Sequence, residues 1–222
     1  YHPSFTNEDW ERVREQQILA VQQSRNDPRS LSYQFANYFL RGATHPLGIP
    51  SSGTQTTIAN INKAEVLAWH QSRLIGSGIS FVLVGDVSME TAKSTIATHF
   101  PEWSGDGYAQ PKAPLTPTRQ NQILILDMPG AQQTTIRVLS DAFSLESAEA
   151  QAAQLAAKIM GGSFTSRLNT LLREEKGYTY GIGRRFSSHN YGTTFSVSAS
   201  VRTDVTLEAL NDIYSTLRSG EA

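Results

Sequence analysis

Gly177 separates two incompatible periodicities. Before it, Phe164, Leu168, Leu171 and Leu172 fall at helical spacing and make one apolar stripe. After it, Tyr178, Thr179 and Tyr180 are the residue types that suit a strand. Glycine ends a helix readily because it enters the left-handed region without a steric cost. Lys176 adds a cation in the last turn, where the helix dipole favours one. Ahead of the stripe, Gly161-Gly162 make a turn, and Ser163 or Thr165 can accept from the first free amides. A helix-to-strand corner follows, with Arg173 near the helix end and Tyr180 near the strand start. The corner either gathers two long polar side chains at one place or merely carries a surface Arg and a half-buried Tyr. Spacing alone leaves both open.

The pattern around this corner predicts an α+β fold. Strands are expected over 122–128 and 133–139, with Pro129-Gly130 as the turn between them. An Ala-rich helix is expected over 145–160, then the corner, then a hairpin of 178–188 and 191–201 around His189-Asn190. A last helix over 206–217 is capped by Asp204. This order suggests a mostly antiparallel sheet with helices packed on one face. Residues 105–120, with Pro111, Pro114, Pro117 and Gly107, read as a linker. Earlier, Thr6 or Asn7 caps a helix over 8–25, which Asp27-Pro28 stops. Ser30 or Ser32 starts a second helix that Gly42 ends, and Asn62 caps a third over 63–74. A mostly apolar run, 79–86, fits a buried strand, and Ser88 caps a helix to His99. The domain reading is therefore 1–104, a linker at 105–120, and 121–222. Both chain ends read as cuts through a longer protein.

Composition narrows the function. Hydrophobic residues make up 39% of the 222 and charged residues 18%, which fits a protein with a real core. A net charge of −1 gives no electrostatic case for nucleic acid or an anionic membrane surface. No apolar run reaches the length of a membrane span. Cysteine is absent, which removes disulfides, thiolate metal sites and thiol nucleophiles. The histidines are His2, His45, His70, His99 and His189, none spaced with another His or a carboxylate as helical metal ligands are. His-Glu-x-x-His, His-x-x-Glu-His, the P-loop and the nucleophile elbow are all missing. Arg173, Lys176, Arg184 and Arg185 either gather into a small basic patch or form a solvated rim, and ordinary surface charge favours the rim.

The run from Gly161 through Arg167-Leu168, Leu172-Arg173-Glu174 and Gly177 to Tyr180 closely resembles a signature of the insulinase-like zinc peptidases, the M16 family. Asp27-Pro28, His45-Pro46-Leu47-Gly48, Trp69-His70 and Val84-Gly85-Asp86-Val87 match the family in order, so the resemblance spans nearly the whole chain. It implies a pair of α+β modules, like those of the mitochondrial processing peptidase and LuxS, that close around an unfolded or extended peptide. One half of such a protein holds zinc on an inverted His-x-x-Glu-His motif and a later Glu. The other supplies an Arg and a Tyr seven residues apart that grip the substrate backbone. Arg173 and Tyr180 stand at that separation. A guanidinium and a phenol can donate to a peptide carbonyl without reading side chains.

The chain departs from the family at the zinc site. The inverted motif is absent. The helix expected to carry the last ligand reads Ile18-Leu19-Ala20-Val21-Gln22-Gln23, with no carboxylate between Glu15 and Asp27. The resemblance then implies no catalytic or metal-ligating residue here, and zinc in a catalytic half or partner instead. The expected protein is a non-catalytic subunit or portion, inactive alone, in a homo- or heterodimer with an M16 subunit, periplasmic in preference to cytoplasmic. Two alternatives stay open: a fragment of an active zinc endopeptidase whose motif lies upstream of Tyr1, and a structural subunit like the core proteins of a respiratory complex.

Overall fold

The computed structural model describes residues 3–73, 79–101, 122–144, 147–189 and 192–219. The chain divides into two units, Tyr1–Leu19 with Thr54–Pro111 and Ala20–Gly53 with Lys112–Ala222. The stretch 105–120 read as a linker lies outside the described residues. In chain order the elements are α1 (Asn7–Ser24), α2 (Pro28–Arg41), a 3-10 turn (Pro46–Gly48), α3 (Gln55–Asn60), α4 (Lys63–Arg73), α5 (Met89–His99), β1 (Gln133–Ala142), α6 (Ala150–Gly161), α7 (Arg167–Asn169), a π-helical segment (Thr170–Glu175), β2 (Thr179–His189), β3 (Gly192–Arg202), a 3-10 turn (Thr203–Val205) and α8 (Thr206–Arg218).

The first unit is helical, and its helix starts follow the capping rules. Thr6 Oγ1 accepts from Asp9 N at 3.0 Å, Asn62 Oδ1 from Glu65 N at 3.0 Å, and Ser88 Oγ from Thr91 N at 3.1 Å. Helix α3, missed in the sequence, is a single short helix closed by a reciprocal box between Thr54 and Thr57. Arg14 donates to the Ala59 carbonyl at 2.9 Å, and Lys63 Nζ to Asn7 Oδ1 at 2.7 Å. The strand expected over 79–86 is not formed: among the described residues it has no ladder partner. Val82 and Val84 are far more exposed than Phe81 and Leu83, so the segment alternates as an extended chain does. Apolar content and extension do not suffice for a strand; a neighbouring edge must supply hydrogen bonds. The strand expected over 122–128, in the other unit, fails for the same reason.

The second unit is built on a three-stranded antiparallel sheet in the order β1-β3-β2. The expected hairpin of β2 and β3 is present, with His189 opposite Gly192. Alternate residues of one face, Ile136 of β1, Ile182 of β2 and Val197, Ala199 and Val201 of β3, are buried against Leu168, Leu172, Ala209 and Ile213. Burying each of the larger side chains stabilises by about 1.5–3 kcal/mol. The opposite face is polar. There α2 lies over the sheet: Arg29 Nε donates to Ser200 Oγ at 3.4 Å, Arg137 Nε to Ser32 Oγ at 3.2 Å, and Arg41 Nη2 to Thr194 Oγ1 at 2.8 Å. Arg41 also forms an ion pair with Asp141. Helices therefore cover both faces, not one. Serines and threonines occupy every second position of β3 on this face, and two of them, Ser200 and Thr194, are the partners of Arg29 and Arg41 from α2.

Local corrections share a cause: hydrogen-bonding side chains chose between competing partners. Asp27 does not merely stop α1; its carboxylate accepts from Arg29 N and Ser30 N and caps α2, with Pro28 at the first helical position. Asp204 does not cap α8; its carboxylate faces Arg202, with Nε at 3.1 Å, and a 3-10 turn leads into the helix. Helix α6 begins at Ala150, later than expected.

Candidate functional site

The corner around Gly177 is held by one buried amide. Asn169 Nδ2 donates to the carbonyls of Ser163 at 2.9 Å and Ile182 at 2.9 Å and lies 3.1 Å from Ser166 Oγ. Its Oδ1 accepts from Ile182 N at 3.1 Å. The side chain thereby pairs with the edge strand β2 as a neighbouring strand would, and ties it to the turn before α7. This use of Asn169 was not anticipated. Its one sequence signal is a polar residue three positions before the fully buried Leu172. Ser166, not Ser163 or Thr165, sits at the helix start, and its hydroxyl serves Asn169 in place of a first-turn amide.

Past Asn169 the helix widens. Residues Thr170–Glu175 are π-helical, and Lys176 N donates to Leu171 O at 3.1 Å, five residues back. Tyr178 N then reaches Leu172 O at 2.8 Å, with Gly177 at φ +61° between them. Arg173 lies within this widened segment. Its guanidinium carbon lies 3.5 Å from the centre of the Phe164 ring. So short a distance is reached only over the face of the ring, the electron-rich side that attracts a cation. Arg173 Nη1 also lies 3.2 Å from Glu174 Oε1. Phe164 itself is 67% exposed, so it does not belong to the apolar stripe it shares in the sequence. The helix begins only at Arg167, and Phe164 sits in the preceding turn.

Tyr180 is re-aimed by a β-bulge. The β2–β3 register shifts between Thr179 and Ile182, so Tyr180 and Gly181 together oppose the single residue Ser200. Thr179 Oγ1 lies 2.7 Å from Ser200 O and 3.0 Å from Gly181 O, and accepts from Gly181 N at 3.2 Å, which satisfies the groups the bulge disrupts. Tyr180 emerges 93% exposed, not half-buried. Arg173 and Tyr180 thus leave the chain on either side of Gly177, each at an irregularity of its element, with Asn169 bonding both elements.

Two of the remaining basic residues turn to separate partners. Lys176 bonds Asp212 at 2.6 Å, and that hydrogen bond, the largest cause, raises its pKa. Arg184 Nη2 donates to Gln154 O at 3.3 Å and packs against Gly162, where a methyl group would meet Arg184 Nε and Lys158 Cα at 2.7 Å. Among the described residues, no group of three His, Asp or Glu side chains could hold a metal. Around Ile18–Gln23, α1 offers hydrocarbon and amides in place of the carboxylate that zinc would need, so these residues do not fit the ion.

The chain matches the family model described as Peptidase M16 inactive domain over residues 60–220. That is well over half its length, and the chain belongs to the M16 family. Solved structures agree in fold. A peptidase M16 inactive domain from Pseudomonas fluorescens is 23% identical, with a TM-score of 0.86 over 98% of this chain and 52% of its own. A protease from Helicobacter pylori is 16% identical, with a TM-score of 0.79 over 96% and 52%. The periplasmic protease PqqL from Escherichia coli is 16% identical, with a TM-score of 0.62 over 95% and 23%. The chain thus spans about half the length of the first two. No curated protein matches it.

Proposed function

We propose that this chain is a non-catalytic M16 portion that helps enclose an extended peptide and presents Arg173 and Tyr180 to its backbone, beside a zinc-bearing half from the same protein or a partner subunit. The observation that carries the reading is the exposed placement of Tyr180 on a bulge next to a strand edge, with Arg173 held at the preceding turn. Both side chains can donate to a peptide carbonyl, and neither selects a side chain. Aimed at a carbonyl under attack, the same donors would stabilise the charge that develops on its oxygen. A periplasmic setting belongs to the proposal, as does pairing with a second M16 module. Among the described residues, no helix is long and apolar enough to cross a membrane.

The test is reconstitution of the full-length protein with a zinc-bearing M16 subunit. Turnover of an unstructured peptide is expected to need both, and to fall with Arg173→Ala and Tyr180→Phe. Stoichiometric zinc with peptidase activity in the isolated protein would overturn the non-catalytic assignment and favour the active-endopeptidase alternative. An assembled pair that binds no peptide would favour the structural-subunit alternative.

A further inference from the structure

We infer that Phe164 is the positioning residue for Arg173: its exposed ring fixes the guanidinium before a peptide arrives. The inference rests on the clamp reading above and adds a residue to it. Three observations converge. Phe164 is a large apolar side chain left 67% exposed, outside the buried core of the sheet. Arg173 stacks on a face of the ring with its guanidinium carbon 3.5 Å from the centroid, its Nη1 is paired with Glu174 at 3.2 Å, and its side chain is 28% exposed. The turn bearing the ring is tied down by two hydrogen bonds to one carbonyl: Ser166 N donates to Ser163 O at 3.1 Å, and Asn169 Nδ2 donates to the same oxygen at 2.9 Å.

The physical consequence is preorganisation. A free arginine samples many rotamers and loses that freedom when it binds, which weakens affinity. Stacking on a fixed ring removes much of the freedom beforehand. The guanidinium donates in its own plane, so a ring over its face leaves in-plane N–H groups for a carbonyl. A leucine at 164 would keep apolar contact but lose the π face. A tyrosine would keep the face.

The experiment measures binding of a fluorescein-labelled, uncharged Ser/Asn/Gln-rich peptide to the full-length protein, assembled with its zinc-bearing half. Arg173→Ala is the reference. Phe164→Leu is expected to weaken binding by about 2- to 10-fold, the range for ordering one long side chain. Phe164→Tyr is expected to restore it to within about 2-fold, and Phe164→Leu added to Arg173→Ala to cause no further loss. The Arg173 Nε–Hε resonance should show a ring-current shift that Phe164→Leu abolishes and Phe164→Tyr keeps. Arg173→Ala weakening binding while Phe164→Leu does not would overturn the positioning role alone. Neither variant weakening binding would overturn the clamp and the positioning role together. A missing ring-current shift would overturn the stacked geometry whatever the binding results.

Discussion

Asn169 and Ile182 exchange hydrogen bonds in both directions, Nδ2 to the carbonyl at 2.9 Å and the amide to Oδ1 at 3.1 Å. A side-chain amide has the donor and acceptor spacing of a peptide group, so Asn169 closes the outer edge of β2 at the point where the bulge ends. The pair joins the segment that carries Arg173 to the strand that carries Tyr180.

Asn169→Asp keeps the acceptor for Ile182 N but turns a carboxylate toward the carbonyls of Ser163 and Ile182. Leaving buried groups without partners costs about 1–3 kcal/mol each, more when a charge is involved. The variant is expected to lose about 3 kcal/mol of stability in urea unfolding. An unchanged midpoint would show that the amide network contributes nothing net.

Two glycines at this corner serve different ends and should respond differently to alanine. Gly177 has a left-handed φ of +61° with nothing near a prospective Cβ, so Gly177→Ala meets only backbone strain of about 1–2 kcal/mol. Gly162 has an ordinary φ of −101°, but its Cβ would lie 2.7 Å from the Lys158 backbone. That contact lies within the last turn of α6 itself and cannot relax by rotating a side chain, so the backbone at the end of the helix must shift. Gly162→Ala is expected to lower Tm more than Gly177→Ala, and calorimetry of the two variants ranks them directly.

The corner was legible because glycine, aromatic and leucine positions carry backbone information locally. The hairpin and the helix end at Gly42 were legible for the same reason, and the helix starts at Asn62 and Ser88 through their capping side chains. The π-helical widening and the bulge were not, since a five-residue hydrogen bond and a shifted β2–β3 register leave no mark in the spacing of residue types. Phe164 misled because its spacing from Leu168 matches a helix that has not yet begun. The runs 79–86 and 122–128 misled differently: their composition is strand-like, but a ladder is a property of two segments. The buried polar contacts of α2 with the sheet join residues far apart in the chain, and periodicity gives no sign of them.

Arg41 illustrates such a contact and supplies a third prediction. Its side chain is fully buried, paired with Asp141 and bonded to Thr194 Oγ1 at 2.8 Å. Removing one member of a buried pair strands the other charge, at a cost of about 3–5 kcal/mol. Asp141 keeps some exposure, so Arg41→Met is expected near the lower end, about 3 kcal/mol. Adding Asp141→Asn should recover part of that loss by removing the stranded charge. A double variant no more stable than Arg41→Met would argue that the guanidinium matters for packing and for Thr194, not for the ion pair.

His45 should make this same region acid-sensitive. The imidazole is buried, and its Nδ1 accepts from Leu47 N at 3.0 Å, capping the 3-10 turn. Burial, the largest cause, lowers its pKa; the Arg41 charge lowers it further, and Asp141 opposes them. The unfolded chain therefore takes up a proton at higher pH than the folded one. The contribution is complete above the unfolded value near 6.5 and is lost as pH falls through the lower folded value. Urea midpoints measured downward from pH 7 are expected to decline from about pH 6.5. His45→Asn keeps an acceptor for Leu47 N and has no proton to gain, so its profile should be flatter across that interval. Parallel profiles for the two proteins would assign the acid sensitivity to other groups.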